Sequence, residues 1–412
     1  MANTLATPQW TTNEVARYFA NDVKFIANTN RTYDDQYEQA GAKVGNTVNA
    51  RLPQQFLATD GDALQQQALY DQTVAITLTN KKNVAFAYSS SQATTEIGEV
   101  RQRYVQPAAE TLGNAADVLA FQAVYRDIYS AVGTPGTTPN AVLTYLQANT
   151  KLTDLATPMS GRVAMLDPLA MQTLASAAST LFNPSGALSE NWRDGQFAGR
   201  QLGVDAWYQD PNRPVQTTGT FTSCTPLVNG ANQTGSTVNI NGWASGATTL
   251  NKGDIFTMAG CTSVNPLSKQ DTGRLQQFVV TATTSDSSGT TATLPISPSI
   301  ITSGALQTVS ASPSNGGAVT VLGATSAVSG TLATTTSPNG FIYHPDAFVF
   351  VMADLFRPTA GCQCKVARSK QANLSIRWVE QYQIGTDQNP SRLDILIGAA
   401  TLQARLACRV FG

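Results

Sequence analysis

The chain has 412 residues, a formal net charge of −1 and a single histidine. That length accommodates two or three domains. The near-neutral balance excludes a global pull toward nucleic acid or anionic lipid, and one histidine excludes a multi-histidine metal centre.

The opening "MANTLATPQWTTNEVARYF" has no basic start followed by an apolar run, so no export signal is expected. No run of apolar residues is long enough for a membrane helix. Residues 11–28 read as an amphipathic helix. Thr11 and Glu14 have capping-box spacing, and Val15, Tyr18, Phe19, Val23 and Ile26 fall on one stripe. With no helical neighbour in sequence, this helix reads as an arm.

Residues 43–80 read as a projecting β-loop. Val48, Ala50 and Leu52 alternate before Pro53, "TDGD" at 59–62 makes a turn, and the chain returns through "QTVAITLTNKKNVAFAYSS" at 72–90. In that stretch Val74, Ile76 and Leu78 alternate with small polar residues, and Val84, Phe86 and Tyr88 repeat the pattern. A lone hairpin is marginal in water, so its apolar face needs cover, expected from a second copy of the chain. Gly41, Gly45 and Gly61 are candidate pivots for the arm and loop.

Residues 96–132 carry the longest helical signal. Pro107 suits a first turn. Val118, Phe121, Tyr125, Ile128 and Val132 form one stripe, and Leu112, Ala116, Leu119 and Ala123 a second; "GTPGTTPN" at 133–140 stops it. Two helices ("AVLTYLQAN", "PLAMQTLASAASTLF") and two strands ("GRVAML", "LGVDAWYQ") follow.

From Thr217 to Gly340 only Lys252, Asp254, Lys269, Asp271, Arg274 and Asp286 are charged. Short β-branched runs such as "STVNI", "DIFTMAG" and "TATLPIS", separated by turn residues, predict a small all-β domain, with a disordered low-complexity linker as the lesser alternative. Mixed composition then returns, with "NLSIRWVEQYQI", "RLDILIGAATL" and "ARLACRVF" as strands. The β domain therefore reads as an insertion into one α/β body, at a place where the two chain ends lie close together.

The search for chemistry is negative. No nucleophile elbow, phosphate loop or dinucleotide fingerprint follows any strand. Cys362 and Cys364 read as neighbours on a strand, and Cys224 and Cys261 as free thiols with pairing as the lesser alternative. Asp60 and Asp62 lack the rest of a calcium loop. Asp34 and Asp35 read as a solvated face. His344 has no partner nucleophile in sequence. Lys365, Arg368 and Lys370 form a short basic run without interleaved aromatics. The expectation is a protein that is not an enzyme and has no cofactor and no metal.

Three stretches together resemble the major capsid proteins of tailed bacteriophages: "PMSGRVAMLDP" (158–168), "DGQFAGRQLGVDAWYQDPNRP" (194–214) and "SIRWVEQYQIGTDQNPSRLDILIGAATLQARLACRV" (375–410). The order of elements matches too, and "LNKGDIFTMAG" (250–260) is most like the subgroup carrying an immunoglobulin-like insertion. The resemblance implies an α+β tailed-bacteriophage major-capsid fold. Its parts would be an N-terminal arm (1–42), an extended β-loop (43–82), a peripheral domain with a long spine helix (83–139), an axial domain (140–216), an inserted all-β domain (217–340), and the rest of the axial domain with closing peripheral strands (341–412). It implies a structural subunit that self-assembles into hexamers and pentamers of an icosahedral head around double-stranded DNA, which it contacts non-specifically. A scaffolding protein and a portal would serve during assembly in the host bacterial cytoplasm, no membrane would be involved, and a decoration protein is left open. Val15, Tyr18, Phe19, Val74, Ile76 and Leu78 are the expected inter-subunit contacts. The competing classes are an exported adhesin or fibre subunit with an immunoglobulin-like domain, which predicts an export signal, and an enzyme with a β insertion, which predicts a catalytic cluster.

Overall fold

The computed structural model describes residues 23–32, 47–58, 61–62, 66–89, 91–92, 106–178, 199–243, 248–286, 291–326, 330–358, 361–368 and 375–412. The chain forms two compact units, Met1–Ala50 with Thr73–Ala123 and Phe348–Ala400, and Arg51–Gln72 with Val124–Ala347 and Thr401–Gly412. Strands dominate and helices are few.

In chain order the strands begin with β1 (Thr47–Arg51), β2 (Thr73–Thr77), β3 (Asn80–Ser89), β4 (Ala131–Val132), β5 (Val163–Leu166), β6 (Ala206–Gln209) and β7 (Val215–Thr217). The insertion contains β8 (Phe221–Cys224), β9 (Leu227–Val228), β10 (Gly235–Asn241), β11 (Thr248–Leu250), β12 (Ile255–Val264), β13 (Asp271–Val280), β14 (Thr284–Asp286), β15 (Thr291–Ile300), β16 (Val319–Val321) and β17 (Gly330–Leu332). The chain closes with β18 (Thr336–Tyr343), β19 (Phe348–Met352), β20 (Gln363–Arg368), β21 (Ser375–Glu380), β22 (Gln388–Thr401) and β23 (Ala407–Phe411).

The first unit holds a five-stranded sheet in the order β19-β22-β21-β20, with β3 paired along β22 from Asn80↔Ile397 to Ser89↔Gln388. The long helix is Gln106–Val124. Ala108, Ala109, Leu112, Gly113, Ala116, Asp117, Ala120, Phe121 and Val124 are its buried positions among the described side chains. This is one stripe at helical spacing, running between the two expected stripes; Val118 and Leu119 are half-buried and Ala123 is exposed. The helix also ends earlier than expected. Tyr125–Asp127 is a 3-10 turn, and Ile128 and Val132 lie beyond it in extended chain. The apolar period continues past the helix because the next buried segment is a strand, so periodicity alone overran the end.

Of the expected arm helix, Lys24–Ala27 lies within the described residues and is helical, while Val15, Tyr18 and Phe19 lie outside them. Phe25 stacks on Phe121 at 3.9 Å between ring centroids, and the Ile26 N–H donates to Asp117 Oδ1 at 3.2 Å. Asn30 exchanges backbone bonds with Phe348 and Phe350 of β19. This part of the arm is held by its own chain.

The expected single strand at 72–90 is two strands with different partners. β2 pairs with β1 in a hairpin, and β3 belongs to the five-stranded sheet. The change of partner comes at Leu78–Thr79, beside a close approach. A Cβ on Gly398 of β22 would lie 2.6 Å from the Thr77 carbonyl oxygen, so only glycine lets the strands meet there.

The second unit contains the sheet β4-β23-β18-β5-β6, with β7 paired to the start of β18. Helices Val142–Asp154 and Pro168–Ala178 supply Tyr145, Ala148, Leu152, Met171 and Leu174 to a core shared with Ala164, Trp207, Ile342 and Val410. The chain leaves this body through β7 and returns through β18, and the two pair directly, Thr217↔Thr336 to Val215↔Pro338.

Six of the inserted strands form one antiparallel sheet, β16-β12-β13-β15-β10-β9, while β11 pairs with β14 and β8 with β17. Its ends meet: the Val228 N–H donates to the Gly317 carbonyl at 2.9 Å and the Val319 N–H to the Pro226 carbonyl at 3.0 Å, with Leu227 and Ala318 bridged. The sheet is thus a closed six-stranded barrel. This corrects the immunoglobulin-like expectation, which requires two stacked sheets with separate edges. Strand content and turn spacing are common to both architectures; the closing bonds between segments ninety residues apart distinguish them. Cys224 and Cys261 are buried in the barrel core and are not joined in a disulfide.

The barrel's outer surface is also used. Alternation on β13 sends Phe278 and Val280 inward, while Val279, with Ile255 of β12, joins Tyr129, Ala131, Leu155 and Phe411 of the body in a second apolar cluster. Beside it, Gln277 Oε1 accepts from the Ala131 N–H at 2.8 Å and Gln277 Nε2 donates to the Ala131 carbonyl at 3.0 Å. The carboxamide takes the place of a neighbouring strand at the open edge of β4. Lys151 Nζ donates to both Gln277 Oε1 and the Ala131 carbonyl, and burial lowers its pKa. Asp254, at the barrel rim, accepts from the Gly219 and Asn251 N–H groups, each at 2.8 Å; burial raises its pKa.

Candidate assembly surfaces

Two of the expected contact residues are already covered. Ile76 and Leu78 are buried within a single chain, at 0% and 7% exposure, and Val74 is half-buried.

Exposure lies instead farther along the loop between β1 and β2. Phe56 is 59% exposed, Leu69 72%, Tyr70 60% and Leu57 36%. The loop is shaped by side-chain amides rather than by a strand ladder. Gln54 Nε2 donates to Asp71 Oδ1 at 2.9 Å and its Oε1 accepts from the Tyr70 N–H at 3.3 Å, while the Leu57 N–H donates to Gln67 Oε1 at 2.9 Å. These bonds set Phe56-Leu57 and Leu69-Tyr70 as two apolar pairs facing water in a glutamine-rich setting. The sequence contains the signal: each pair stands about a dozen residues or fewer from the "TDGD" turn, in a stretch otherwise polar. Within the first unit, Phe356, Tyr382 and Ile384 are likewise exposed, the last two on the turn between β21 and β22.

His344 Nδ1 accepts from the Asp346 N–H and lies 3.4 Å from Asp346 Oδ2, while the His344 backbone N–H donates to the Leu406 carbonyl. Cys364 is on β20 and Cys362 in the bend before it, where Cys362 Sγ contacts the Pro358 carbonyl. Burial raises the pKa of Cys364, which disfavours the thiolate. Asp62 is exposed in a bend; Asp34, Asp35, Asp60, Gly41, Gly45 and Lys370 lie outside the described residues. Among the described residues no group of three metal-ligating side chains comes together, and no helix is long and apolar enough to cross a membrane.

The family described as P22 coat protein - gene protein 5 matches residues 2–412, essentially the whole chain. The chain belongs to the P22 coat protein family. It is a major capsid protein, a structural component of a phage head and virion. Solved structures similar to this coat protein include one of Mycobacterium phage Che8, with 13% identity, a TM-score of 0.45, and 95% of this chain and 90% of that chain covered. Another is the capsid structure of the cyanophage P-SCSP1u, with 11% identity, a TM-score of 0.42, and 93% and 88% covered. A third is the asymmetric unit of the bacteriophage PhiM1 mature capsid, with 9% identity, a TM-score of 0.40, and 89% and 82% covered. Among curated proteins none matches.

Proposed function

We propose that this coat protein self-assembles into hexamers and pentamers of an icosahedral shell enclosing double-stranded DNA, without catalysing a reaction. A scaffolding protein and a portal take part in assembly, which occurs in the host bacterial cytoplasm, and contact with the packaged DNA is non-specific. The observation that carries this reading is the family match across residues 2–412. The exposed pairs Phe56-Leu57 and Leu69-Tyr70 add a physical driving force. Covering apolar surface gains about 25 cal/mol per Å², and a shell repeats each contact in every subunit. We place the loop contact on these four residues, with Val74 at its margin; Val15, Tyr18 and Phe19 remain the proposed contacts of the arm.

The test is expression with and without a candidate scaffolding protein, followed by negative-stain microscopy. Closed shells support the proposal, and monomers under both conditions refute it. Phe56→Ser with Leu69→Ser should reduce the yield of shells at least ~10-fold, since a few central apolar residues dominate contact energy. The same pair should leave the monomer's melting temperature unchanged, because exposed side chains contribute little to folding. An unchanged shell yield would remove the loop from the contact.

A further inference from the structure

A cavity of about 230 Å³ opens in the second unit where the loop, the barrel and the 3-10 turn Ala404–Leu406 come together. Gln72 from the loop, Gln276, Gln307 and Thr308 from the insertion, and Tyr129 and Arg405 from the body are in its wall. Among the described residues, Arg405 is the one charged residue lining it.

The guanidinium is incompletely used. It has five N–H donors. Nε and Nη2 both donate to Gln403 Oε1, at 3.1 and 2.9 Å, and Nη1 donates to the Leu155 carbonyl at 3.3 Å. All of these acceptors are neutral. Lys269 lies outside the lining but close to it: its Nζ donates to the Ala305 carbonyl, next to the cavity wall at Leu306 and Gln307. Burial lowers the Lys269 pKa, and the positive charge of Arg405 lowers it further. Burial likewise lowers that of Arg405. Among the described residues no carboxylate forms an ion pair with either group.

Partly buried cations are ordinarily paired, and two brought together without an anion repel. Here both are held in place by neutral carbonyls at the edge of a cavity, with donors to spare. We propose that this cavity is a binding site for a small oxyanion of the phosphate or carboxylate type, held by the planar fork of Arg405 and the ammonium of Lys269. A guanidinium presents parallel N–H groups that match two oxygens of such an anion, and an ammonium supplies a point charge. Because the wall draws on loop, barrel and body, an occupied site ties three segments of one chain together. The site lies within a monomer, so its test is independent of shell formation.

The experiment is thermal unfolding of the full-length monomer titrated with inorganic phosphate in one arm and citrate in another, with sodium chloride holding ionic strength constant. At least one arm should give a saturable rise in Tm, of about 2–4 °C at high occupancy. The arm that saturates identifies the anion. Arg405→Met and Lys269→Met should each abolish the rise or weaken half-saturation at least ~10-fold, with native circular dichroism as the check of folding. Lys269 touches the wall through a single carbonyl, so its variant remains informative if Arg405→Met fails to fold. A rise that never saturates, that chloride reproduces, or that persists unchanged in Lys269→Met would overturn the proposal.

Discussion

Inside the barrel, Phe256 and Phe278 stack at 5.9 Å within a large buried apolar cluster. Inside the five-stranded sheet of the first unit, Asp394 is wholly buried and both of its oxygens are claimed, one by Arg377 and the other by Arg392. The barrel is closed by backbone bonds and filled by non-directional apolar contact. The sheet is fixed by a directional cluster in which one carboxylate holds two guanidiniums. The first arrangement tolerates changes of identity that conserve volume; the second does not tolerate loss of its centre.

The largest test of this contrast is Phe278→Ala, which leaves a void with nothing to fill it. It should cost about 4 kcal/mol, with increased amide exchange confined to the barrel strands. Phe278→Leu should cost less than half as much. Next is Asp394→Ala, which strands Arg377 in a site where its side chain is only 13% exposed; about 3 kcal/mol is expected, read as a lower urea midpoint for the first unit. A milder loss for this variant than for Phe278→Leu would erase the contrast. Gln277→Ala breaks the joint instead of either interior and should cost about 1–2 kcal/mol. Its signature is faster exchange of the Ala131 amide, whose acceptor is removed, while Val132 is unaffected. Smallest is Arg274→Ala, across the same joint to Asp154; with Arg274 54% exposed, the change should stay below about 0.5 kcal/mol and vanish at high salt.

The contrast also separates what sequence patterning conveys from what it does not. Alternation in "STVNI" and "TATLPIS" located β10 and β15, and helical spacing located Val142–Asp154, because each depends on neighbours a few residues apart. The barrel's closure depends on Val228 meeting Gly317, and no local pattern encodes that meeting. The end of the long helix was missed for a related reason, since Ile128 and Val132 keep an apolar rhythm in extended chain. Ile76 and Leu78 are the apolar face of a strand, as their alternation predicts, and that face is buried within the chain. Phe56, Leu57, Leu69 and Tyr70 have no periodicity at all and were passed over, although apolar pairs in a polar loop are the better sign of an outward face. Buried charges such as Asp394 and Arg409 read as surface residues until packing shows otherwise.

The pairing of β7 with β18 has a consequence for how such a molecule is acquired and altered. Thr217 and Thr336 face each other across a two-stranded ribbon, with their hydroxyls 3.0 Å apart. Cutting the chain at these points and joining them with a tight turn would leave a hairpin in which the underlying sheet keeps every one of its own bonds. The whole barrel is therefore excisable in outline, and a different domain with adjacent termini is transplantable into the gap. The scar would lie elsewhere, at Tyr129, Ala131, Leu155 and Phe411, whose apolar cover comes from the barrel. A lineage that lost the module would have to make those four positions hydrophilic, or find them a new lid.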